Sequence, residues 1–231
     1  MSKTNTSTVP LSAFNFLKTL KKNNNREWFA EHKEAFLKEQ EHIYNFAEAL
    51  LTELNKHDII ETSSGKKACY RIYRDVRFSK EKTPYNTYFS GSFRRATKYR
   101  RGGMYFHLEP GNTWLAGGFW SPNAEDLKRV RDDIAYDATP LRKILKSKSF
   151  TTTFGTLQGE QLKKSPKGFD AEHEAIDLLR YKQFLLIKRF TDEEVLSAGF
   201  VKQANQTYIN MRPFFDYMSE VLTTDLNGME I

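Results

Sequence analysis

Arg71, Asp75 and Arg77 stand at alternate positions in the run RIYRDVRFSKEKTPY, Arg71 to Tyr85. On an extended strand that spacing puts all three on one face, with a carboxylate between two guanidinium groups. Such neighbours favour the ionised carboxylate, and Asp75 then orients the arginines. Beyond Phe78, the residues Ser79, Lys80, Lys82, Thr83 and Tyr85 add hydroxyls and compact positive charges beside the planar arginine forks. The set suits phosphate or carboxylate, each charge-assisted hydrogen bond contributing about 1.5 to 3 kcal/mol. The expected ligand-binding residues are Arg71, Arg74, Arg77, Ser79, Lys80, Lys82, Thr83 and Tyr85, and the expected ligand is a small anion. In the alternative, Arg71, Arg74 and Asp75 form an ion-pair network that stitches sheet to helices and binds nothing. Arg74 shares a face with Ile72, Val76 and Phe78, where an arginine needs a carboxylate partner, and Glu27 or Glu31 is the expected one.

His107 and Glu109, two residues apart, share a strand face and complete the candidate catalytic set of Asp75, His107 and Glu109. These residue types leave binding and catalysis both open. The other histidines, His32, His42, His57 and His173, are scattered, and neither HExxH nor a cysteine pair occurs, so no metal site is expected. No GxxxxGK[ST] loop and no GxSxG elbow occurs, and no cofactor is implied. Gly117 and Gly118 are read as positions of close packing between strand and helix. Cys69, the one cysteine, is read as a small buried hydrophobe.

The charge of the chain is concentrated in one place. Lys66 to Arg101 holds 12 Lys or Arg against Asp75 and Glu81, while the remainder holds 24 against 27. A second functional class follows, in which the segment tracks nucleic acid through phosphates, with Tyr70, Tyr73, Tyr88, Phe93 and Tyr99 stacking on bases. Arg94, Arg95, Lys98, Arg100 and Arg101 would supply its extra charge. No apolar run of 18 residues occurs, so no span and no membrane partner is expected. The polar start MSKTNTSTVP and the single cysteine fit a reducing cytoplasm.

The elements that must position these groups can be read from periodicity. Residues 1 to 9 are expected as a disordered lead and 10 to 231 as a single α+β domain. Pro10 opens a helix bearing Phe14, Leu17 and Leu20, and Asn24 or Asn25 caps a long second helix with Phe29, Phe36, Ile43, Ala47, Leu50 and Leu54 on one side. Period two then predicts a first strand from Cys69 to Phe78 and a second over Thr87 to Arg94, in which Gly91 marks a bulge or close packing. A third carries Met104, Phe106 and Leu108 inward, and a fourth covers Thr113 to Trp120. Helices begin at Ser121 with Pro122 and at Thr139 with Pro140, Thr191 and Glu194 form a capping box, and a last helix repeats Phe200, Ala204, Met211, Phe215, Met218 and Leu222. Pro213 should kink or divide that helix. Lys182 to Phe190 is a further, fifth strand candidate. The fold class is α+β, an antiparallel sheet of four or five strands flanked by N-terminal and C-terminal helices.

Four stretches resemble a widespread bacterial family of conserved hypothetical proteins, domain of unknown function twenty-four sixty-one. They are NNNREWF (Asn23 to Phe29), RIYRDVRFSKEKTPYNTYF (Arg71 to Phe89), YFHLEPG with GGFW (Tyr105 to Trp120) and SPKGFDAEHEAIDLLRYKQF (Ser165 to Phe184). The resemblance implies an α+β domain and an RDxRFSKxKTPY signature, here Arg74, Asp75, Arg77, Phe78, Ser79, Lys80, Lys82, Thr83, Pro84 and Tyr85. It implies no established activity.

Overall fold

The computed structural model describes residues 7–95, 99–224 and 229. Ten helices and one four-stranded sheet lie among them. Four come first: α1 (Leu11–Lys22), α2 (Arg26–Glu31), α3 (Lys33–Leu54) and α4 (Gly65–Ala68). The strands β1 (Phe89–Arg94), β2 (Gly103–Leu108) and β3 (Thr113–Phe119) follow, then α5 (Ala124–Tyr136), α6 (Thr139–Lys146), α7 (Lys148–Phe154) and α8 (Ile176–Leu179). Strand β4 (Phe184–Phe190) precedes α9 (Asp192–Leu196) and α10 (Phe200–Thr223). The sheet is antiparallel with order β1-β2-β3-β4, which establishes the α+β class.

Contacts divide the chain into two units. The first comprises Met1–Phe93, Tyr105–Leu115 and Arg189–Gln206, and the second Arg94–Met104, Ala116–Lys188 and Thr207–Ile231. In the first, α1 buries Phe14, Leu17 and Leu20 as its spacing requires. Phe106 and Leu108 of β2 are fully buried there, and Met104 of the same strand is fully buried in the second unit. Phe46 of α3 meets Phe106 edge-on at 5.7 Å, and Phe200 stacks on Phe46 at 5.5 Å. In the second unit, Gly117 admits α10: a Cβ there would lie 2.4 Å from Met211 Sδ and 2.7 Å from Phe215. Gly118, at φ +133°, instead accommodates the neighbouring strand, with Phe184 O 2.1 Å from where its Cβ would be. The lead expected at 1 to 9 lies outside the described residues up to position 6, and Val9 is already buried.

Several boundaries differ from expectation. The segment from Cys69 to Phe78 is not a regular strand. It runs beside the β1 region through isolated bridges, Cys69 with Gly91 and Tyr73 with Tyr85. Arg74 N–H still donates to Pro84 O at 2.9 Å, but Pro84 has no N–H to return, and pairing stops there. Asp75 then accepts from the Arg77 N–H at 3.2 Å, a local bond that competes with a ladder. The fourth strand of the sheet is β4, the Lys182 to Phe190 candidate. The long second helix is two, because the chain opens at His32 (φ −106°, ψ 15°), whose Nδ1 lies 2.8 Å from Trp28 O. Helix α5 is capped by Asn123, not Ser121, and the N–H of Thr139 is taken by Asp137 at 2.8 Å, which places Thr139 inside α6. The Thr191 to Glu194 capping box is present, and α10 passes through Pro213 undivided.

Gly91 packs closely, as its place inside a strand anticipates. A Cβ there would stand 2.5 Å from the Phe106 ring and 2.6 Å from Ala68 O, and a backbone oxygen cannot rotate away. Gly91→Ala should therefore cost about 1 to 3 kcal/mol of overpacking, read as a lower urea midpoint. An unchanged midpoint would show that the helix and strand separate freely.

Candidate functional site

The signature forms a closed loop. Asn86 N–H donates to Ile72 O at 2.7 Å and Arg74 N–H to Pro84 O at 2.9 Å, so the two ends of the loop are tied side by side. Tyr85, 6% exposed, stacks on Phe29 of α2 with ring centres 3.9 Å apart. The Asn24 side chain brackets its peptide, donating to Tyr85 O at 2.9 Å and accepting from Tyr85 N–H at 3.1 Å. Burial raises the Tyr85 phenol above its ordinary range, so it stays protonated.

Within the loop, Arg74 Nη1 donates to Thr83 Oγ1 at 2.6 Å and pairs with Glu81 at 3.2 Å, while Thr83 donates to Glu81 at 2.8 Å. The partner of Arg74 is thus Glu81, not Glu27 or Glu31: a local carboxylate reaches it once the strand has given way to a loop. Arg77 grips Asp75 with two nitrogens, Nε at 3.0 Å and Nη2 at 2.6 Å. That hydrogen bond, aided by the charge of Arg71, holds Asp75 below the usual carboxylate range. Lys82 Nζ donates to Val76 O at 2.9 Å. Among the described residues, Arg71, the Ser79 hydroxyl and Lys80 have no hydrogen-bond or ion-pair partner. Phe78, expected on the inward face, is 96% exposed.

His107 and Glu109 form a second cluster in the same unit. His107 Nε2 lies 3.1 Å from Glu109 Oε2, and Nδ1 lies 3.4 Å from Tyr105 Oη. The imidazole stacks on Trp114 (5.0 Å, planes 14° apart) and meets Tyr88 at a tilt (4.1 Å). Burial pushes the His107 pKa down, outweighing the pull of Glu109. Burial alone would raise Glu109, but bonds from Asn112 and His107 and the charge of Lys21 lower it overall. Tyr105, Tyr88 and Trp114 came from the sequence as strand or stacking residues; their convergence on one ring needed the strand register. The bonds of Asp75 and Arg77 are to each other, and those of His107 are to Tyr105 and Glu109.

The basic segment is partly consumed in structure. Arg95, 3% exposed, donates to Asp216 at 2.8 Å and lies over the Phe215 ring, and Arg101 pairs with Asp126. Phe93 is fully buried and cannot stack on a base, whereas Tyr70, Tyr73 and Tyr99 are exposed. Lys98 lies outside the described residues. Cys69 is mostly enclosed, and burial pushes its thiol up to about 12, which suits a packing residue. A cleft of about 730 Å³ lined by Arg129, Asp133, Tyr136 and Tyr217 contains none of the signature residues. Among the described residues no group of His, Cys, Asp and Glu could hold a metal, and no helix is long and apolar enough to cross a membrane.

A family model described as Conserved hypothetical protein (DUF2461) matches residues 12–217. The chain belongs to this family. No curated protein and no solved structure matches it. Both clusters of this DUF2461 member, and all four stretches that carried the resemblance, fall within the matched residues.

The lowered pKa of His107 fixes a sign. Its ordinary value is 6.5, and the unfolded chain takes up the proton first as pH falls through that value, so stability is full above it and lost below it. His107→Phe, which keeps a ring against Tyr88 and Trp114, should flatten the stability profile between about pH 5 and 7. Parallel profiles for the two proteins would show that His107 does not govern that range.

Proposed function

We propose that this protein binds a small anion, phosphate or carboxylate, on the loop from Arg71 to Tyr85. The observation that carries the reading is a division among the loop's polar groups. Arg74, Glu81, Thr83 and the Lys82 to Val76 bond tie the loop together. Arg71, Ser79 and Lys80 are left without such partners among the described residues, and Arg77 is 77% exposed despite its pair. The ion-pair network is thus the scaffold of a donor set and not a substitute for one. A loop whose backbone is already tied loses less entropy on binding than a flexible basic tract.

Asp75 is a weak base at neutral pH because Arg77 holds it ionised, so it serves to aim the guanidinium. Of the candidate proton handlers, His107 is the better suited: neutral at pH 7 and backed by Glu109. The small-anion reading is favoured over a nucleic-acid track because Phe93, Arg95 and Arg101, three of that track's named contributors, are engaged in packing and ion pairs.

Phosphate should raise the melting temperature, since a ligand bound by the native state alone stabilises it by about 2.7 kcal/mol at a hundred times Kd. For a chain of this size that is about 5 to 10 °C. An Arg71→Ala, Lys80→Ala double variant should melt normally without phosphate and lose the gain. An equal rise in parent and variant, or in parent with sodium chloride of matched ionic strength, would contradict the reading.

A further inference from the structure

The same loop carries an apolar side chain that anion binding does not use. Phe78 stands between the closing pairs of the loop and is 96% exposed, with the Arg77 guanidinium 6.0 Å from its ring centre. A single exposed apolar residue ordinarily needs no explanation. This one is presented by a loop whose ends are bonded together and whose interior is cross-linked by Arg74, Glu81 and Thr83. The loop and its base also carry Arg71, Arg77, Lys80 and Lys82, all exposed. The other aromatics nearby are held on the body of the unit: Tyr70 bonds Ser92 at 2.7 Å, and Tyr73 packs against Phe29 and Tyr85.

We infer that the loop docks on a membrane surface bearing anionic lipid headgroups, with Phe78 entering the interface and the exposed cations of the loop meeting headgroup phosphates. An exposed apolar side chain on a loop rich in exposed cations complements a surface that is negatively charged outside and apolar immediately beneath. A single-stranded nucleic acid would call for a row of stacking rings, and between Arg74 and Pro84 the loop carries Phe78 alone. A protein interface of standard size would call for a broader apolar patch than one side chain. A surface contact needs no spanning helix, so it is compatible with the absence of one among the described residues. The inference rests on the anion-binding reading of the loop and names the source of the anion.

The test is co-sedimentation of the full chain with vesicles of phosphatidylcholine alone or with 30% (about one lipid in three) phosphatidylglycerol, the proportion that gives a surface potential of tens of millivolts. Binding should require the anionic lipid and fall as salt rises. Phe78→Ala, at a position whose side chain is almost wholly exposed, should weaken it about tenfold while leaving the phosphate-induced rise in melting temperature intact. Arg71→Ala and Lys80→Ala should each weaken it about fivefold. In Phe78→Trp, the added emission should shift to the blue on anionic vesicles only. If phosphate stabilises the protein but vesicles do not bind it, the membrane inference fails and anion binding stands. If neither acts, both fail. Vesicle binding indifferent to Phe78→Ala, or tight binding of a single-stranded oligonucleotide with none to vesicles, would also overturn the inference.

Discussion

Tyr85 is the point on which the signature turns. Its ring lies on Phe29 at 3.9 Å, and both polar groups of its peptide are taken by one asparagine side chain, Asn24. A stacked aromatic pair adds about 0.5 to 1.5 kcal/mol beyond its buried area, and the amide bracket satisfies a donor and an acceptor that burial would otherwise leave costly. This clasp fixes where the chain re-enters the fold after Pro84. Everything between Arg74 and Pro84 can then project as a loop without loosening β1, which begins four residues beyond Tyr85 at Phe89.

The charges of the loop acquire their roles from that constraint. With the ends fixed, Arg74 is within reach of Glu81 and Thr83, and Asp75 of Arg77, so the carboxylates spend their charge locally. The remaining cations, Arg71 and Lys80 among them, are exposed. The strong positive balance between Lys66 and Arg101 is consequently divided between the two units. Arg95 and Arg101 belong to ion pairs of the second unit, with Asp216 and Asp126, and the loop cations belong to the first.

Much of this was legible in the sequence where the signal was local and repeated. The Phe14, Leu17 and Leu20 spacing of α1, the alternation of β2 and the Thr191 to Glu194 box each depend on neighbours within a few residues, and each is present. The Arg71 to Phe78 alternation misled because burial does alternate there, Ile72 buried and Tyr73 exposed, while the ladder that defines a strand fails at Pro84 on the other side of the loop. Phe78 was assigned inward by extending that alternation past the point where pairing ends. The break at His32 comes from a side chain turning back on a carbonyl, and the Asn24 bracket joins residues 61 apart. Arg95 and Asp216, 121 apart, carry no mutual signal in a single sequence. The His107 cluster was half visible: the pairing with Glu109 followed from period two, but the Tyr88 and Trp114 faces depended on strand order.

The central claim is that the clasp at Tyr85 preorganises the loop for an anion. Amide hydrogen exchange across Arg71 to Tyr85, in the parent and in Asn24→Ala, with and without phosphate, measures it most directly. The account predicts that phosphate slows exchange in the parent loop. In Asn24→Ala, exchange there should quicken about tenfold or more, with phosphate giving little protection, while the amides of Met104 to Leu108 remain protected. Loop exchange that is the same in both proteins and unmoved by phosphate would contradict it.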